Sequence, residues 1–404
     1  MADRSSRAGR RWPRFLGIAL AVVAALGVGA LVLRFAVDDA LGAEPTGDRL
    51  DRIERSSHVR GGRFVNTLPT LADGSSVGTI WAYLFGGSEV RQPRRRGPVP
   101  VVTRTAADFA GPAPALRVTW LGHSSLLLEV DGARVLVDPV WGERAAPAAV
   151  FGVERFYPPP LALSALPDLD AVVISHDHYD HLDMPTVQAL AGRVPRWVVP
   201  LGVGAHLEAW GVDPGRITEL DWWEETEAGG VRLVSTPARH FSGRGLGDRD
   251  ATLWSGWAVV GPEHRVFYSG DTALMPEFSE VGARLGPFDV TLIEAGAYDA
   301  AWADLHLGPE QAVAVHRMVR GELMIPVHWA LFDLALHGWT EPAERVLSAA
   351  GRAEVDVAFP RPGESVTPDA IPTEPWWPQV PWQTAIETPV ISTGLPDSVR
   401  ALVP

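Results

Sequence analysis

The stretch Ala171-Val172-Val173-Ile174-Ser175-His176-Asp177-His178-Tyr179-Asp180-His181 decides the reading of this chain. Its first four residues are apolar and rich in β-branched side chains, as expected of a buried strand. The residues from Ser175 onward therefore lie in the loop at the strand's end, where α/β proteins tend to place their sites. Three histidines and two aspartates arrive there within six positions. A single histidine in such a loop would ordinarily be a satisfied polar residue. Five polar groups directly behind an apolar strand need a reason to converge, and neutral imidazole and carboxylate are good zinc ligands. A loop can also turn alternate side chains towards two separate ions.

The same pattern, an apolar strand with a donor at its end, recurs three times. His240 follows the run 231–235 within Pro237-Ala238-Arg239-His240-Phe241, Asp271 follows 266–269 within Ser269-Gly270-Asp271-Thr272, and His328 follows 324–327. Alone, a loop Asp beside Gly is usually a turn residue and a lone His is usually packing. Together with the first cluster they complete two metal sites, and that joint economy is the argument.

Strands are predicted at 116–121, 125–130 and 134–137, with Asp131-Gly132 as a hairpin turn, and again at 197–199, 257–260, 266–268 and 290–293. Helical stretches are predicted at 184–190 and 309–319. Strands and helices mixed in this order imply a layered α/β domain over 116–362. Residues 38–115, rich in Arg, Gly and Pro, read as a linker and extension, and 363–404, with prolines at 368, 372, 375, 378 and 381, as an extended tail.

Composition excludes several functions. The 46% hydrophobic and 21% charged content is that of a globular protein, and a net charge of -14 argues against a nucleic-acid binder, which needs clustered cations. With no cysteine, any metal must sit on histidine and carboxylate. At the N-terminus, residues 15–33 are 19 positions without a charge. As a helix they span roughly 28 Å, close to the hydrocarbon core of a bilayer. Five arginines precede them within 1–14 and acidic residues follow, so the expectation is a single-pass anchor over 15–37 in a bacterial inner membrane. The N-terminus would be cytoplasmic and the domain over 116–362 outside. Secretion after signal cleavage is the alternative. The basic run Arg91-Gln92-Pro93-Arg94-Arg95-Arg96 reads as a solvated loop, with lipid headgroups as its sharper alternative.

His-x-His-x-Asp-His followed by a distant His, Gly-Asp-Thr and a further His resembles the ligand order of the metallo-β-lactamase superfamily. The likeness is closest to N-acylphosphatidylethanolamine-hydrolysing phospholipase D and its bacterial relatives. Supporting segments include Thr119-Trp120-Leu121-Gly122-His123, Leu253-Trp254-Ser255-Gly256-Trp257 and His306-Leu307-Gly308-Pro309-Glu310. The resemblance implies an αββα sandwich of two mixed β-sheets flanked by helices. It implies one zinc on His176, His178 and His240, a second on Asp180, His181 and His328, and Asp271 bridging both. Iron and manganese suit the same ligands. Tyr179 and His306 would contact the substrate phosphate, so the implied catalytic set is Asp180, Asp271, His306 and Tyr179, with Asp138 fixing a ligand imidazole. His123 is expected nearby, in either a site or a structural role. His58, His206, His264, His316 and His337 read as surface or packing residues. Two departures stand out: Asp177 replaces a typical Asn, and Ala330-Leu331 replaces a Gly-Thr pair. The segment 334–342 is nearer to bacterial relatives and somewhat like ascorbate-phosphate lactonases.

The resulting expectation is a dinuclear hydrolase, a phospholipase D-type phosphodiesterase using a hydroxide shared by two ions on N-acylphosphatidylethanolamine-like lipids. A lactonase or phosphodiesterase of a soluble metabolite is the enzymatic alternative, and a non-catalytic metal-binding protein the alternative of another class. Apolar walls around the cleft, with a lip from the extension, favour lipid; a closed polar pocket favours a soluble substrate. No nucleic-acid partner is expected, and oligomeric state is not legible.

Overall fold

The computed structural model describes residues 37–71, 86–93, 97–147 and 152–404, together with 27–29, 34 and 81. Most of the expected anchor over 15–37 lies outside the described residues. Among those described, no helix is long and apolar enough to cross a membrane.

Two seven-stranded sheets form the body. The first uses β1 (Leu116–Gly122), β2 (Ser125–Val130), β3 (Ala133–Val137), β4 (Ala171–Val173), β5 (Trp197–Pro200) and β6 (Ile217–Leu220). The second uses β7 (Glu225–Ala228), β8 (Val231–Thr236), β9 (Gly256–Val260), β10 (Arg265–Tyr268), β11 (Phe288–Glu294), β12 (Gly321–Val327) and β13 (Asp356–Val357), and β14 (Ser365–Val366) returns to the first. Their orders are β6-β5-β4-β3-β2-β1-β14 and β7-β8-β9-β10-β11-β12-β13. Each sheet is half antiparallel and half parallel: β3 to β6 pair in parallel in one, β10 to β13 in the other.

Alternation assigns the faces. In β2, Leu126, Leu128 and Val130 point into the core between the sheets, whereas Leu127 joins an outer cluster with Leu136, Val172, Val187 and Leu190. That outer face is covered by α1 (Met184–Leu190) and α2 (Gly204–Ala209). The second sheet is covered by α3 (Glu277–Leu285), α4 (Pro309–Met318) and α5 (Glu341–Ala353), whose Phe278, Val313 and Val346 are buried. Strands buried on both faces read as continuous apolar runs, which explains why the central ones were legible. Trp257 of β9 crosses the sandwich, its indole N–H donating to the Ile174 carbonyl at 3.0 Å. A buried indole keeps its partner in this way while contributing about 1.5–3 kcal/mol by burial.

The C-terminal segment is extended, as its prolines require, but it is not a detached tail. β14 pairs with β1, Trp377 is buried, and its indole donates to Glu344 at 2.9 Å. The edge strands β6 and β7, rich in Thr and Glu, carry too weak an apolar pattern to be read from sequence.

Candidate metal centre

All the strand-end residues singled out by sequence meet at one rim of the sandwich. The loop after β4 delivers His176 to His181, and the ends of β8, β10 and β12 deliver His240, Asp271 and His328. Nε2 of His176 lies 2.8 Å from Nδ1 of His178, which is 3.3 Å from Nε2 of His240. A second group forms around Oδ2 of Asp180, with Nε2 of His328 at 3.3 Å and Nε2 of His181 at 3.5 Å. Oδ2 of Asp271 stands between them, 3.0 Å from His328, 3.2 Å from His181, 3.8 Å from His176 and 3.9 Å from His240. Seven donors thus form two groups sharing one carboxylate oxygen.

Whether a cation fits is decided by what the other ring nitrogens do. His240 donates from Nδ1 to the Leu305 carbonyl at 2.8 Å, which leaves a lone pair on Nε2. His181 Nδ1 is 2.8 Å from Oδ2 of Asp138, again leaving Nε2 as acceptor. That nitrogen, Nε2 of His328 and Oδ1 of Asp271 are buried without a hydrogen-bond partner. Buried acceptors facing acceptors are unfavourable unless a positive charge lies between them, a proton in the metal-free protein or a metal ion in its place, so the residues fit a metal pair.

Supporting groups fix these rings. Asp138 accepts from the Ser175 backbone at 2.7 Å, from its hydroxyl at 2.5 Å and from the Tyr268 hydroxyl at 2.6 Å, and so holds His181 as expected. His123 lies 2.8 Å from Asp180 Oδ2. Burial, with the charge of His328, pushes the His123 pKa down to about 3, so a neutral ring donates to Asp180. For Asp271, burial alone would raise the carboxyl, but His181 and His328 hold it well below the ordinary range.

Local backbone geometry serves the site. Gly270 has φ +58, and a Cβ there would lie 2.6 Å from the Ser255 carbonyl, so only glycine turns β10 into Asp271 this way. His123, Asp138 and His328 take positive φ without being glycine, a conformation that is disfavoured and clusters at functional sites.

His306 reaches the centre from the turn before α4. Its Nδ1 is 2.8 Å from Oε2 of buried Glu294, and its ring stacks 5.2 Å from that of His328. Sequence reading missed Glu294, although it closes strand β11 as the other donors follow theirs. Tyr179 is engaged elsewhere in this structure. Its hydroxyl donates to the Arg244 carbonyl at 2.7 Å and its ring lies 4.1 Å below the Arg244 guanidinium. Asp177 also points away, accepting from Gly243 N–H and the Thr252 hydroxyl, both at 2.8 Å. The five remaining histidines stay clear of the seven donors: His206 is buried beside Asp177, His316 bonds Thr291, and His264 bonds Asp131. His58 packs on Trp222 and His337 on Tyr298.

A cleft of about 250 Å³ opens on the shared oxygen. His178, Asp180, Asp271, His306 and His328 form its polar floor, and Phe241, Ala297, Trp302, Leu305 and Leu334 its walls. A second, more polar cleft of about 460 Å³ lies beyond Phe241 and His240, lined by Val65, Asn66, Thr67, Leu68 and Thr70 of the extension and by Arg249, Asp250 and Trp254.

A family model described as a beta-lactamase superfamily domain matches residues 133–329. Over 261 residues the chain is 38% identical to N-acyl-phosphatidylethanolamine-hydrolyzing phospholipase D 1 of Caenorhabditis elegans, covering 61% of this chain and 73% of that one. The chain belongs to the metallo-β-lactamase superfamily. It is a metal-dependent hydrolase of that superfamily. An uncharacterized protein of Mycobacterium tuberculosis is 46% identical over 366 residues, covering 88% of this chain and 96% of its own. A solved structure, a possible metal-dependent hydrolase from Veillonella parvula, shares the fold with a TM-score of 0.50 at 18% identity, covering 63% of this chain and all of that one.

Proposed function

We propose that this superfamily member is a phosphodiesterase of the phospholipase D type, acting on an N-acylated glycerophospholipid to give a phosphatidic acid and an amide-bearing alcohol. The observation that carries the reading is the cleft: apolar walls stand directly over a polar floor of candidate ligands. A lipid phosphodiester presents that same combination, a charged centre with apolar arms. The relationship to the phospholipase of Caenorhabditis elegans supports it further.

In this reading His176, His178 and His240 hold one ion, Asp180, His181 and His328 the other, and Asp271 both, with zinc as the expected metal. When bound, such a pair lowers the pKa of water and neutralises charge on a phosphoryl oxygen. The chain's own residues do the rest. Asp138 and His123 orient His181 and Asp180, while Phe241, Trp302 and Leu334 exclude bulk water from the floor. His306, held at Nδ1 by Glu294, offers Nε2 to the phosphate or to the departing alkoxide as a proton donor. Tyr179 would join only after its hydroxyl leaves the Arg244 carbonyl. Residues 15–33 would tether the domain outside a bacterial inner membrane, where a lipid substrate is met at high effective concentration.

The test is mass-spectrometric analysis of vesicles containing N-acylphosphatidylethanolamine after incubation with the purified protein, with and without chelator. Metal-dependent release of phosphatidic acid is expected. Untouched lipid in the presence of two bound ions contradicts the lipid substrate and directs attention to soluble phosphoesters and lactones.

A further inference from the structure

Behind His240, on the side away from Asp271, the N-terminal extension crosses the rim as a strap. Its Asn66 makes two hydrogen bonds to the backbone of one residue: the side-chain amide donates to the His240 carbonyl at 2.7 Å, and the His240 N–H donates to the Asn66 amide oxygen at 3.1 Å. The same oxygen accepts from the indole of buried Trp254 at 3.1 Å. Asn66 thus pairs with His240 as a neighbouring strand would, although 174 positions separate them. Beyond Asn66, the strap is bolted down by the buried Arg239–Asp304 ion pair at 3.0 Å. Arg239 also reaches the Pro69 carbonyl, and Asp304 accepts from the Leu71 N–H at 3.0 Å. Asp304 directly precedes Leu305, whose carbonyl fixes the His240 ring.

We propose that Asn66 is a positioning residue for the candidate ligand His240, so that the N-terminal extension forms part of the metal centre. The inference rests on the reading of His176, His178 and His240 as an ion's ligands. Its physical basis is that an imidazole on a loop is aimed by two constraints, one on the ring and one on the backbone. Leu305 supplies the first and Asn66 the second. Outer partners of this kind typically govern about 10- to 100-fold in metal affinity.

The experiment is a competitive zinc titration of the full chain and its Asn66→Asp and Asn66→Ala variants, with Arg60→Ala as control. Arg60 lies on the same extension, and among the described residues its guanidinium bonds the Ser57 and Val59 carbonyls. Asn66→Asp keeps the size, turns the donor to the His240 carbonyl into an acceptor that repels it and adds a negative charge, so it remains informative if Asn66→Ala folds poorly. Expected is a fall of about 10- to 100-fold in affinity for one of two ions, with the other ion and the control unchanged. Two ions held at wild-type affinity in Asn66→Asp would overturn the inference, as would equal weakening of both. A wild-type chain that binds no zinc would instead remove the metal reading on which it rests.

Discussion

Oε2 of Glu294 lies 2.8 Å from Nδ1 of His306, while Oε1 of the same carboxylate accepts from the Thr272 N–H at 2.6 Å and the Leu307 N–H at 3.2 Å. One buried carboxylate therefore links the residue after Asp271 to the residue after His306. Burial raises its pKa, partly offset by His306. Replacing Glu294 with Gln keeps the shape and loses the charge. Glu294→Gln should lower kcat about 10- to 100-fold while two ions remain bound. Steady-state kinetics with metal analysis checks this. Loss of an ion in step with activity would make Glu294 a part of the ligand set.

Protonation of the chelated protein should oppose metal binding. Burial alone would lower the pKa of His328, but the carboxylate of Asp271 and that of Asp180, 3.3 Å away, outweigh it and raise the pKa to about 10. His181 is likewise raised well above 6.5 by Asp271 and Asp180 against its burial. For a histidine raised in the fold, the stabilisation is fully present below 6.5 and is lost as pH rises towards about 10. A cation must displace that proton, so apparent affinity should rise with pH over the same window. Calorimetric titration in buffers of different ionisation enthalpy should show net proton release. Binding without it would contradict the protonation assigned to His328.

Gly296 sits where a Cβ would overlap the carbonyl oxygen of His328. Gly296→Ala should therefore move a candidate ligand and destabilise the fold by about 1–3 kcal/mol. Urea unfolding and a zinc titration read both effects. A variant with unchanged stability would show that the rim yields more easily than its packing implies.

Removal of residues 1–37 should leave a chain that fractionates as soluble, with its metal content unchanged. Persistence in the membrane fraction would place a contact surface elsewhere, with Val65 and Leu68 of the extension as the first residues to alter.

Legibility of the sequence followed the range of the interaction. The seven donors stood out because each follows an apolar strand, and both sheets carry those strands to one rim. Asp138 was reached through the family resemblance, which implies a carboxylate fixing a ligand imidazole. Glu294 shares the strand-end pattern too, but a glutamate closing an apolar run has no motif around it. Asn66 was hidden because its partner lies 174 positions away and the surrounding Arg, Gly and Pro resemble a linker. The same composition concealed the docking of the C-terminal segment, where β14 and Trp377 complete the core despite the prolines. Tyr179 shows the converse: its place in the motif implied a site role, while its hydroxyl is engaged by Arg244.

Asp271 carries the central claim, since its Oδ2 is the atom common to both donor groups. Metal analysis of the purified chain and of Asp271→Ala, after identical zinc loading and desalting, tests it most directly. The account predicts about two ions per chain in the parent and weakened binding at both positions in the variant. Two tightly held ions in Asp271→Ala would contradict a shared carboxylate and with it the dinuclear centre.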